Sequence, residues 1–95
     1  MENKIYLKFD KSATRLAGNP YGREVFREQA KDFIDYNSKN HIIIPDNIQR
    51  IASSFTQGFF AEIIDRIGYE GIEEKIVIET SNEELKKDIY EDLMS

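Results

Sequence analysis

Ninety-five residues with a net charge of −5, 40 % hydrophobic residues and no cysteine confine the chain to one acidic globular domain spanning residues 1–95. The missing cysteines exclude disulfides, thiolate metal sites and thiol catalysis, and with one histidine as well a zinc site is not expected. No apolar run reaches the length of a membrane span and the start has no signal-peptide core, so a soluble cytoplasmic protein with no membrane partner is expected.

Residues 4–9, KIYLKF, alternate Ile5, Leu7 and Phe9 against Lys4, Tyr6 and Lys8, the period of a half-exposed strand. The next stretch, DKSATRLAGNPYG, is polar and turn-rich, with room for a short strand within residues 11–18. Asn19-Pro20 reads as a helix start, with Asn as the cap and Pro in the first turn. Val25, Phe26, Ala30, Phe33 and Ile34 then recur at helical spacing, predicting a helix over about 20–36. Residues 41–44, His-Ile-Ile-Ile, are too apolar for a one-sided edge and predict a central strand covered on both faces.

A second helix is expected over about 54–67, packing through Phe59, Phe60, Ile63, Ile64 and Ile67 and ending at Gly68. Gly58 inside it points to a close approach by the sheet or by a partner. YEGIEE reads as a loop, KIVIET at 75–80 as a further strand, and Ser81-Asn82-Glu83-Glu84 as the capping box of a last helix to about residue 93. The sum is an α/β domain: a mixed, four-stranded sheet with about three helices, in which the strands at 41–44 and 75–80 are parallel neighbours.

The motif that stands out is Ser53-Ser54-Phe55 at the mouth of the second helix. Ser54, with Gln57 three residues on, has the form of a capping box, which assigns Ser54 and Ser81 as helix caps. Ser53 is left outside the cap, where a phosphate would meet the free N–H groups and positive dipole end of the helix. Phe55 is expected exposed beside it, and Asp46, Gln49, Arg50, Ser53, Phe55 and Gln57 form the expected partner-binding surface. No catalytic set appears: His41 starts an apolar strand, where an edge or core role outweighs that of a base, and the carboxylates follow solvated helix faces. No metal, cofactor or catalytic residue is therefore expected, and the chain is expected not to be an enzyme.

Charge is uneven. Residues 1–50 carry nine Lys/Arg against seven Asp/Glu, a net +2, whereas residues 51–95 carry four against eleven, a net −7. The acidic half disfavours nucleic acid and would suit a basic protein partner.

Strand, loop, paired serines and helix, followed by another strand and helix, resembles the domain shared by sulfate transporters and anti-sigma factor antagonists. Ile51-Ala52-Ser53-Ser54-Phe55 with Phe59-Phe60 is more similar to the small bacterial STAS-like family of unknown function. The antagonist domains read Asp-Ser-Ser-Gly at this point, and their phosphorylated serine corresponds to Ser53; here the Asp is Ala52 and the Gly is Phe55. The resemblance implies a non-catalytic regulatory module that binds a histidine-kinase-like ATPase or another regulatory protein through the loop before the second helix. The alternatives are a ligand-binding or enzymatic domain using the crevice at the strand ends, and a homodimer built on the sheet edge or helix faces.

Overall fold

The computed structural model of the protein describes residues 2–94. In chain order the elements are β1 Glu2–Tyr6, β2 Arg15–Leu16, α1 Asn19–Gln29, β3 Lys39–Ile43, β4 Arg50–Ile51, α2 Ser53–Lys75, β5 Ile76–Glu79 and α3 Glu83–Met94. β1, β3 and β5 form a three-stranded sheet in that order, parallel throughout, and β2 pairs with β4 in a separate two-stranded ribbon.

The expected four-stranded mixed sheet is therefore corrected. The short strand within residues 11–18 exists, but it pairs with Arg50–Ile51 instead of joining the main sheet. The main sheet is all parallel because α1 and α2 each carry the chain back between successive strands, and such crossovers connect parallel neighbours.

β3 is central, as its composition predicts, and pairs with β5 in parallel. Only one of its faces is covered: Asn40 and Ile42 are buried, while His41 and Ile43 remain partly exposed and Lys39 is exposed. The strand order explains this. Successive right-handed crossovers that step in one direction put both helices on the same face, and covering the second face would need a reversal of direction. α3 adds Leu85, Ile89 and Leu93 to the same core as α1 and α2.

The core closes Ile5, Leu7, Ile42 and Ile78 of the sheet layer over helix side chains, with Phe59 at the centre. Phe59 meets Phe60 and Phe26 edge-on, at ring separations of 4.9 and 5.5 Å, a favoured aromatic geometry. α1 and α2 come together at two glycines. A Cβ on Gly22 would lie 2.8 Å from the backbone nitrogen of Phe59, and one on Gly58 would lie 2.9 Å from the carbonyl carbon of Asn19. The close approach foreseen at Gly58 is thus to the first turn of α1.

Helix limits differ from the periodicity in two places. α1 stops at Gln29, not near residue 36, and Phe33 ends up exposed. The Asp35 carboxylate accepts hydrogen bonds from the Asn37 N–H and the Ser38 hydroxyl, a local side-chain geometry that competes with helix. Those two bonds hold its carboxyl below the usual carboxylate range. Asn40, wholly buried, then locks the turn: its amide oxygen accepts from Asn3 and from the Asp35 N–H, and its nitrogen donates to the carbonyls of Asp35 and Ser38.

In α2 the helical backbone does break at Gly68, where φ is 70° and ψ 178°, but YEGIEE continues as helix instead of loop. Ile72, buried in the core, anchors that last stretch. Among the described residues no helix is long and apolar enough to cross a membrane.

Candidate functional site

The segment leading into α2 is held by its backbone. Ile48 is buried, the N–H groups of Gln49 and Arg50 both donate to the Thr14 carbonyl, and the Ala52 N–H donates to Leu16. Asn47 adds a side-chain hydrogen bond of 2.7 Å to the Ala13 carbonyl. These bonds weld residues 47–52 to residues 13–16, so the loop is a fixed platform.

The paired serines divide their work differently from the sequence expectation. The residue capping α2 is Ala52, whose carbonyl accepts from the N–H groups of Phe55 and Thr56, and no side chain caps the helix. Ser54 is not a cap. Its hydroxyl accepts a 3.0 Å hydrogen bond from the Gly18 N–H and so ties the start of α2 to the entry of α1. α1 itself begins at Asn19, one residue early, with Gly18 in the capping position and Asn19 Oδ1 accepting from Arg23.

Ser81 is not a cap either: its hydroxyl donates to Asp46, and the side chain that caps α3 is that of Asn82, which accepts from the Leu85 N–H. In both cases the tertiary partner lies far away in sequence.

Phe55 is a second correction. It is 3 % exposed, wedged between Phe9, Tyr21 and Phe59 with ring separations of 6.5, 5.5 and 6.2 Å. The close packing of α1 on α2 turns the helix mouth inward and removes Phe55 from the surface. Of the remaining expected contact residues, Asp46, Gln49, Arg50, Ser53 and Gln57 are all exposed. Gln57 opens into a different crevice, shared with Arg23, Asp65 and Tyr69.

What remains is a polar surface centred on Arg50. Gln49 and Arg50 face Asn82, Glu84 and Asp88 of the α3 entry across one crevice, and Arg50 meets Arg15, Ala52 and Asp88 in an adjoining one. Arg15 and Arg50 are direct cross-strand neighbours in the β2–β4 register. Both are exposed, and among the described residues neither is in an ion pair. Like charges set opposite each other in a ladder oppose pairing. Ser53, exposed on the first turn of α2, follows Ala52 at this crevice. Sequence reasoning missed Arg15 and Asp88, because only the ribbon and the packing of α3 bring them to Arg50.

A second polar cluster lies on the open face of the sheet and had no sequence signal. The His41 ring sits between carboxylates from both neighbouring strands, Nε2 to Glu2 and Nδ1 to Glu79, each at 2.7 Å. Donation to both at once requires the doubly protonated ring. The hydrogen bonds to Glu2 and then Glu79 raise the His41 pKa, and the bond to His41 lowers that of Glu2. Each nitrogen already faces its own carboxylate, and among the described residues no group of acidic and histidine side chains converges as a metal site.

Comparison with protein-family models, curated proteins and solved structures finds no match.

Proposed function

We propose that the protein is a non-catalytic interaction module, a STAS-like regulatory domain that docks a protein partner on the surface formed by Arg15, Asp46, Gln49, Arg50 and Ser53. One observation carries the reading: two exposed arginines sit opposite each other on a two-residue ribbon, without ion-pair partners, on a platform fixed by backbone hydrogen bonds. The ribbon accepts an unfavourable like-charge pair, and an acidic segment of a partner would relieve it. The partner class implied by the resemblance is a histidine-kinase-like ATPase. Ser53 is the regulated hydroxyl in this reading, since a phosphate added there would compete for the same guanidinium groups.

The test is capture from lysate on immobilised protein, comparing wild type with Arg50→Glu, Ser53→Asp and Ser54→Ala. Arg50→Glu and Ser53→Asp should lose a specifically bound protein of the ATPase class while staying folded, Arg50→Glu at no cost in stability because it removes the like-charge pair with Arg15. Ser54→Ala should keep the partner while losing about 1 kcal/mol of stability, through the unpaired Gly18 N–H. Identical captured sets for all four proteins would dismiss the surface.

A further inference from the structure

The ribbon that carries Arg15 and Arg50 holds their backbones in place. The Thr14 carbonyl accepts from the N–H groups of Gln49 and Arg50 at 2.8 and 3.2 Å, and the Leu16 carbonyl accepts from the Ala52 N–H at 2.8 Å. Arg15 is thus bracketed by bonds between the two segments. Leu16 turns into the core, so the alternation of side chains along a strand turns Arg15 out of it. The register sets Arg50 directly beside Arg15, at the spacing of neighbouring strands, about 4.8 Å. Next to them lies an open crevice of about 360 Å³, lined also by the short side chain of Ala52. The α2 entry that follows has no side-chain cap and no acidic residue in its first turn, and no described residue accepts from the N–H groups of Ser53 and Ser54. Asp88 of α3 lines the same crevice but pairs with neither arginine.

We infer that the two arginines form a fork for a phosphate monoester, carried on the protein partner as a phosphorylated side chain. The inference rests on the docking reading above and specifies the chemistry that the surface recognises. Charge and acceptor number select phosphate. A carboxylate brings one charge and two oxygens, which a single guanidinium satisfies. It would leave the second arginine beside the first with its charge still unpaired. A phosphate monoester brings close to two negative charges at neutral pH and three acceptor oxygens. That is enough for both guanidinium groups, with an oxygen over for the uncapped N–H groups at the α2 entry. Because the backbones of both arginines are fixed before binding, the ordering cost is confined to their side chains. Asp88 opposes any anion in the crevice, so its charge limits the affinity of the site.

The probe is a short peptide carrying one phosphoserine, titrated into the full chain at fixed ionic strength while backbone amide shifts are followed. The amides of Arg50, Ser53 and Ser54 should move together and saturate. The same peptide with aspartate in place of phosphoserine should bind at least about tenfold more weakly. Arg15→Gln and Arg50→Gln should each lose roughly tenfold in affinity while staying folded, since each removes half of a like-charge pair. Asp88→Asn should tighten binding about threefold. An aspartate peptide that binds as well as the phosphopeptide, an arginine variant that binds like wild type, or AMP binding about tenfold more tightly than the phosphopeptide would each overturn the proposal. Phosphatase treatment of the lysate before capture separates this inference from the docking reading. A partner captured equally with and without treatment keeps the surface and overturns the phosphate. Phosphopeptide binding with no partner captured from either lysate keeps the phosphate site and drops the ATPase-class partner.

Discussion

Gly58→Ala should destabilise the protein, although helix propensity alone favours alanine by about 1 kcal/mol in a helix interior. The added methyl would lie 2.9 Å from the Asn19 carbonyl carbon and 3.0 Å from its Cα. These are backbone atoms at the start of α1, so no side-chain rotation relieves the overlap. Relief requires α1 to move off α2, which loosens the contacts of Phe55 and Phe59 that the close approach creates. Overpacking of a tight core contact costs typically 1–3 kcal/mol, and a contact with backbone belongs at the upper end. After the propensity gain, the net loss should be about 2 kcal/mol, a fall in Tm of roughly 10 °C for a domain of this size. Thermal and urea melts read it directly. Gln57→Ala, one residue earlier and exposed, is the control and should stay within about 0.5 kcal/mol of wild type. If Gly58→Ala melts at or above the wild-type temperature, the helices are not in backbone contact and the packing argument is wrong.

Asn40→Ala should cost about 3 kcal/mol, because it leaves several buried backbone and side-chain partners of the 35–38 turn unsatisfied; urea denaturation would show a lower midpoint with an unchanged slope. The His41 clamp predicts a pH-dependent stability. Its folded pKa lies above the ordinary histidine value, so its contribution is complete below about pH 6.5 and is lost as pH rises through the folded pKa. Glu2, shifted down, adds a loss on the acid side as pH falls through its own lowered value. The Tm difference between wild type and His41→Gln, followed from pH 5 to 9, should shrink toward the alkaline end, and a difference independent of pH would rule the clamp out.

Local periodicity and propensity, read along the chain, are enough to place three helices and the three main strands. They also identify Ile5 as the inward residue of β1, although that strand runs over Glu2–Tyr6 and not 4–9, the central place of β3 and the break at Gly68, because each of these depends on neighbours within a few positions. The sequence could not show how distant segments complete one another. Ser54 and Ser81 have the local form of caps, yet Gly18 and Asp46 claim their hydroxyls, and an alanine and an asparagine take the capping positions. Phe55 is exposed on an isolated helix mouth and buried once Gly22 and Gly58 let α1 and α2 touch. Arg15 meets Arg50, and His41 meets Glu2 and Glu79, only through strand register. The local code sets which residues turn inward along each element; the order of the strands, all stepping one way, decides which face those elements share and leaves the other face and the β1 edge open.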